Sequence, residues 1–367
     1  MNKNILVFVI ALLVLFFVQN NKLHSFAANG LWVPSWELNS PEKIKKVVRF
    51  AVENDFKHIF AEIRYRGDAL YVPNKTDSTF SNPEKRSYFL DKQPESFDPL
   101  YSLIQLAHDY HIQVFAWLTT FVITPKNTIR LPDSHVVFQH PEWITYNENL
   151  EKMDIEQVGS GLFLDPGIKE VQEYTQNIIL DIAKNYLIDG VMLDYIRYPG
   201  SEFGYNPISL ANFSKNSTSI DSAKFVFWKQ AQLTNFVKDT GQKLKNVKKS
   251  MIFATTGIGE YAKAKNQFCQ DWMKWLDFDS LDYVYLMLYA KSDEEFTKQI
   301  ESIPNNVDKK RIGISLRAWN HSNNYPVQQI FSKVSICEKN NFKVVSLFHF
   351  GGIRENEFTI QNKIIKY

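Results

Sequence analysis

Taken two residues at a time, the stretch IDGVMLDYIRYP (188–199) places Val191, Leu193 and Tyr195 on one face and Gly190, Met192 and Asp194 on the other. An acidic side chain thus ends one face of an otherwise apolar strand, where a carboxylate is costly to bury unless a ligand needs it. A Pro-Gly turn stops the strand, a loop runs through FGYNP (203–207), and helical periodicity resumes near Asp221. Strand, loop and helix in that order make a βα unit, whose chemistry sits on the loop side.

The same alternation predicts strands over 30–36, 58–68, 113–123, 250–257, 281–290, 311–318 and 343–351. Helical spacing predicts helices over 41–54, 98–110, 168–186, 221–244, 294–303, 327–340 and 357–367, with a short piece at 271–276. Ser40-Pro41 and Asp98-Pro99 each supply an N-cap followed by proline at the first helical position. Eight strands alternating with eight helices in one chain point to an α/β fold of the (β/α)8 TIM-barrel type over residues 29–367. No linker splits this body. Two long polar segments, about 73–95 and 124–167, read as loops, and loops of that length are usually functional.

Residues 1–28 have a different character. Lys3 precedes an apolar run from Ile5 to Val18, and Ser25-Phe26-Ala27-Ala28 follows a polar spacer. The segment reads as a secretory signal peptide, or as an uncleaved N-terminal membrane anchor, and either places the body outside the cytoplasmic membrane. A net charge of +2, with no basic stripe, argues against nucleic acid as a partner, and a monomer is expected. Export permits disulfides, but Cys269 and Cys337 are expected at opposite ends of the barrel and unbridged. Neither has a histidine or second cysteine at ligand spacing, so no metal or cofactor is implied. No glycine-rich phosphate fingerprint follows the first strand, which removes the commonest nucleotide reading.

Barrel closure brings all strand ends to one mouth, with alternate side chains in the lumen. Taking each apolar face as the helix-facing one puts Glu62, Arg64, Trp117, Thr119, Asp194 and Arg317 inward, with Tyr289 at the end of the sixth strand. Two carboxyls, two guanidinium groups and several aromatics are the equipment of glycoside hydrolysis, in which one carboxyl protonates the leaving oxygen and another acts as nucleophile or activates water. Asp194 is the first candidate. Its partner is drawn from Glu62, Asp68 and Glu260, Glu62 being equally readable as half of a buried ion pair with Arg64. Asp271 is as plausible as a helix cap. Trp32, Trp36 and Trp117 form a candidate platform for sugar rings, although any one alone reads better as core filling. His140 and His349 read as hydrogen-bonded structural histidines. A catalytically silent barrel that binds glycan through the same aromatics and arginines is the alternative.

Seven blocks carry a family resemblance: RYRGDALY (64–71), AWLTTF (116–121), HPEW (140–143), LDPG (164–167), DGVMLDYIRYP (189–199), QDWMKWL (270–276) and LMLYA (286–290). In order and spacing they resemble glycosyl hydrolase-like family 10, from about Gly30 to about Gly352. The resemblance implies a TIM-type barrel, an envelope or extracellular location, and glycosidase activity. As a substrate class it implies peptidoglycan glycan strands stripped of their peptides. On its motifs, Arg64, Asp68, Asp165, Asp194 and Arg197 are carried over as site residues, with Tyr195 beside them as a further substrate contact.

Overall fold

A computed structural model describes residues 28–125, 131–154, 161–214, 222–319 and 326–366. The segment expected to be a signal or anchor lies outside these residues except for Ala28, which begins the first strand.

Eight parallel strands close into one barrel in chain order: β1 (Ala28–Val33), β2 (His58–Arg64), β3 (Gln113–Thr119), β4 (Gly190–Asp194), β5 (Ile252–Ile258), β6 (Tyr283–Leu288), β7 (Ile312–Arg317) and β8 (Val344–Phe348). β8 returns to β1, so no edge remains to template pairing with another chain. The alternation within each strand divides the molecule into two cores. Val191 and Leu193, like Ile314 and Leu316, join the large apolar layer between barrel and helices. The opposite faces supply Trp32, Phe60, Phe115, Trp117, Met192, Ala254 and Tyr285, which fill the barrel interior.

Rings that large fit only because glycines face them. A Cβ on Gly190 would lie 2.4 Å from the Phe115 ring, and one on Gly313 would lie 2.4 Å from the Tyr285 ring. Large and small residues therefore alternate around the interior, as the taper of a filled barrel requires.

The helices are α1 (Pro41–Glu53), α2 (Pro99–His108), α3 (Val136–Gln139), α4 (Lys169–Asn185), α5 (Pro207–Ser214), α6 (Ser222–Val247), α7 (Tyr261–Phe268), α8 (Trp272–Trp275), α9 (Asp293–Glu301), α10 (Val327–Lys339) and α11 (Glu355–Lys366). Caps fix two starts: the Ser40 hydroxyl accepts from the Lys43 amide, and the Asp98 carboxylate from that of Tyr101. Helices α3, α5 and α7 exceed the expected eight and sit in the segments after β3, β4 and β5. The alternation missed them because α3 is a single turn and the apolar residues of α5 surround it rather than lining one side. Cys269 follows α7 rather than opening a helix, and both cysteines are buried free thiols. Among the described residues no helix is long and apolar enough to cross a membrane.

Candidate active site

At the C-terminal mouth of the barrel lies a cavity of about 480 Å3 to which segments at or beyond the ends of all eight strands contribute. Pro34 and Trp36 follow β1, Tyr65 and Arg66 follow β2, Tyr195 and Arg197 follow β4, and Tyr289, Trp319 and His349 follow β6, β7 and β8. Glu62, Trp117, Asp194 and Thr256 rise into it from the strands themselves. The backbone turns sharply after the two acidic strands, through Arg66 at φ 61° and Tyr195 at φ 57°. Left-handed residues other than glycine are strained, and such strain clusters at functional sites.

Asp194 ends β4 facing inward, and only 6% of its surface is exposed. Three donors hold its carboxylate: Thr256 Oγ1 at 2.6 Å and the Tyr195 amide at 2.8 Å to Oδ1, and Trp117 Nε1 at 3.3 Å to Oδ2. Burial pushes its pKa up, while these donors and the Arg197 guanidinium pull it back. Glu62 reaches the same cavity from β2. Its Oε2 accepts from the Ser35 amide at 3.0 Å and the Ser35 hydroxyl at 2.9 Å. Burial outweighs those bonds and the nearby Arg66, and with the Asp194 charge adding to it, the pKa of Glu62 rises to about 7. Burial thus raises both carboxyls, Glu62 to about 7, and the donors around each one pull against that rise.

The other sequence candidates divide between this cavity and elsewhere. Trp117, Tyr195, Arg197 and Tyr289 line it, Tyr289 stacking on Phe348 with ring centroids 5.2 Å apart. Arg64 does not reach it. The register between β2 and β3 shifts between Glu62 and Arg64, which breaks the alternation and turns Arg64 away from the lumen. The guanidinium is fully buried against Glu84, with Nε 2.8 Å from Oε1, and it also donates to the Thr119 carbonyl. Burial opposes its charge, but the Glu84 carboxylate prevails and holds Arg64 above its ordinary range. The ion pair considered for Glu62 and Arg64 is therefore made by Glu84 instead.

Asp68 borders a separate cavity of about 310 Å3 with Glu84, Tyr88, His135 and Tyr174, and burial pushes its carboxyl well up. Asp165 is fully buried and ties three segments together, accepting from Thr145 Oγ1, the Gly167 amide and Ser209 Oγ at 2.8–2.9 Å. Trp32 lies in the interior layer, its Nε1 donating to Ser346 Oγ at 2.9 Å and its ring edge-on to Trp117, so it fills the core. Arg317 also stays out of the cavity wall, its guanidinium 4.2 Å from the centroid of the Trp319 ring. Glu260 is exposed at the start of α7, and Asp271 pairs with Lys265 and Tyr261. His140 stacks on Trp143 away from the mouth.

Several residues of the site gave no sequence signal of their own. Thr256 and Ser35, the hydroxyls that serve the two carboxyls, are common residue types whose partners lie 62 and 27 positions away. Gln270 accepts from the Ile258 amide and donates to the Ile196 carbonyl, joining the loops after β4 and β5. Arg66 and Trp319 belong to segments whose direction only closure decides, and His349, expected as a structural histidine, lines the cavity. Among the described residues, no three or more His, Cys, Asp and Glu gather as a metal site.

Fold and site together define a (β/α)8 barrel with two buried carboxyls under an aromatic mouth. The model of the family described as glycosyl hydrolase-like 10 matches residues 26–334, and the chain belongs to that family. It is similar to glycosyl hydrolase DigH of Escherichia coli K12, at 24% identity over 70% of this chain and 62% of the relative. It is also similar to glycosyl hydrolase YngK of Bacillus subtilis strain 168, at 24% identity over 53% of this chain and 39% of the relative. The chain thus spans less than two thirds of the length of these relatives. Among solved structures, the glycoside hydrolase domain of PgaB (BpsB) from Bordetella bronchiseptica shares the fold, with TM-score 0.67 and 13% identity over 92% of this chain and 98% of that one. An α-L-fucosidase from Paenibacillus thiaminolyticus does so with TM-score 0.64 and 10% identity, over 92% of this chain and 48% of that one.

Proposed function

We propose that this protein is an exported glycoside hydrolase that cleaves a polysaccharide chain, with peptidoglycan glycan strands lacking stem peptides as its substrate class. Residues 1–28 act as its signal peptide or membrane anchor. The observation that carries the reading is the pairing of Glu62 and Asp194 in one cavity, with Glu62 raised to about 7 and Asp194 held by three hydrogen-bond donors. Glu62, raised to about 7, donates its proton to the departing glycosidic oxygen. Asp194 carries negative charge against the oxocarbenium-like transition state, and the Thr256, Tyr195 and Trp117 donors fix its orientation beforehand. Tyr289, Phe348, Trp319 and Trp36 offer flat apolar faces to sugar rings.

Incubation of the purified protein with peptide-free and peptide-bearing peptidoglycan in 18O-labelled water, followed by mass analysis, tests the proposal. Labelled, shortened glycans are expected from the peptide-free material. Asp194→Asn keeps the shape and removes the charge, and should lower turnover by about a thousandfold or more, a scale set by the loss of transition-state charge stabilisation. Undiminished turnover by that variant would remove Asp194 from the mechanism. Tight glycan binding with no labelled product would instead favour a silent, glycan-binding barrel.

A further inference from the structure

The cavity of about 310 Å3 beside Asp68 shares no lining residue with the barrel mouth, and the reaction at Glu62 and Asp194 makes no use of it. It lies across a hairpin from the mouth. Arg64 bridges Ala69 in antiparallel fashion and the Leu70 amide donates to the Ile63 carbonyl at 2.8 Å, so the chain doubles back at Arg66 and Gly67 as it leaves β2. Tyr65 and Arg66 line the mouth, while Gly67 and Asp68 line the second cavity. The Cα atoms of Arg66 and Asp68 are therefore at most about 7 Å apart, a span that a short glycan covers.

Asp68 is 6% exposed, and neither oxygen of its carboxyl makes a hydrogen bond with a described residue. The Ser87 hydroxyl and the Arg64 guanidinium lie near enough to draw its pKa down, but burial and the Glu84 and Glu62 charges outweigh them and favour the neutral acid. Such an acid holds an O–H donor and an acceptor oxygen side by side, and buried polar atoms left unpaired call for a partner from outside. A cation is a poor one. Glu84 is neutralised by Arg64, Lys85 and Arg86 line the same cavity, and among the described residues no three His, Cys, Asp or Glu gather as metal ligands. An anion would meet Asp68 and Glu84, while Arg86 directs its donors to the carbonyls of Pro94, Glu95 and Phe97. A neutral sugar ring presents adjacent hydroxyls to the carboxyl and finds aromatic contacts in Tyr88, Tyr174 and His140. The volume falls at the lower end of the roughly 300–1,000 Å3 that small-molecule sites span.

We propose that the cavity around Asp68 is a second saccharide site, which holds a sugar unit of the glycan at a distance from the bond cleaved in the mouth. The proposal rests on the glycosidase reading and adds to it a preference for longer chains. A chain long enough to cross the hairpin tip at Arg66 and Gly67 gains the Asp68 contacts in ground state and transition state alike, so the site lowers KM and leaves kcat unchanged. Chains too short to cross gain nothing from it.

The test measures kcat and KM of the full chain on peptide-free glycan fragments sorted by length. Wild-type protein is compared with Ser134→Trp, which fills the cavity from an exposed position, and with Asp68→Leu, which keeps the shape of the side chain and removes its polar atoms. Wild type is expected to show a step in kcat/KM of about tenfold or more between short and long fragments, the scale of two hydrogen bonds. Each variant should flatten that step by raising KM for the long fragments, with kcat held. Equal losses on short and long fragments in both variants would mark the cavity as structural and overturn the proposal, and so would wild-type protein that shows no step. If no fragment is hydrolysed, calorimetry with the longest fragments still decides. Binding weakened about tenfold by either variant, with its fold intact by circular dichroism, upholds the second site while the hydrolytic reading fails. Binding that is absent, or the same in wild type and variants, defeats the second site as well.

Discussion

Removing the Ser35 hydroxyl should make Glu62 a weaker acid and extend activity to higher pH. Ser35 Oγ donates to Glu62 Oε2 at 2.9 Å, and the Ser35 amide donates to the same oxygen at 3.0 Å, so Ser35→Ala deletes one of two donors and leaves the backbone in place. Both bonds favour the ionised carboxylate. Losing one therefore raises the pKa. A hydrogen bond to a charged group contributes about 1.5–3 kcal/mol, and each pKa unit corresponds to about 1.36 kcal/mol, which gives a rise of about one to two units. Starting from about 7, Glu62 in the variant should titrate near 8 to 9. The assay is kcat/KM against pH on peptide-free glycan, in which loss of the general acid's proton sets the basic limb. Glu62 and Asp194 interact, so the limb belongs to the pair, but the direction of its movement does not depend on how the protons are shared. A basic limb that stays in place or moves down in Ser35→Ala, with the fold intact by circular dichroism, would refute Glu62 as the proton donor.

Three further outcomes are expected. Thr256→Val removes the 2.6 Å donor to Asp194, which raises the pKa of that carboxyl and moves the acidic limb of the same profile upward, whereas Thr256→Ser keeps the limb where it is. Glu62→Gln should change the pH dependence of stability. Because the folded pKa is raised from 4.5 to about 7, native protein holds a proton that the unfolded chain releases, and stability falls as pH rises through that window. The variant lacks this loss and should exceed the wild type by up to roughly 3 kcal/mol above pH 7, at about 1.36 kcal/mol per unit, in urea denaturation at pH 4 and 8. Arg64→Met strands the buried Glu84 carboxylate and should cost about 3–5 kcal/mol. Adding Glu84→Met should recover most of it, and a single variant losing under about 1 kcal/mol would contradict a buried pair.

What the sequence determined by itself was whatever depends on local periodicity. Alternation places Val191 and Leu193 against the helices and Met192 and Asp194 in the lumen, because successive side chains of a strand must point to opposite faces. The same local rule, repeated along the chain, is enough to count eight βα units and to send Glu62 and Trp117 inward. Tertiary structure decided depth, register and partnership. Trp32 and Trp117 obey the same alternation, yet one fills the interior layer and the other reaches the mouth, since height in a barrel depends on how strands are staggered against their neighbours. Arg64 has the right parity, but a register shift against β3 turns it to Glu84, an acidic residue in a loop with no periodicity to read. Asp165, within a motif, fastens loops rather than lining the cavity, and Thr256 and Ser35, within none, serve the carboxyls. Hydrogen-bond partners far apart in the chain are chosen only when the sheet closes, and no spacing along a linear sequence records that choice.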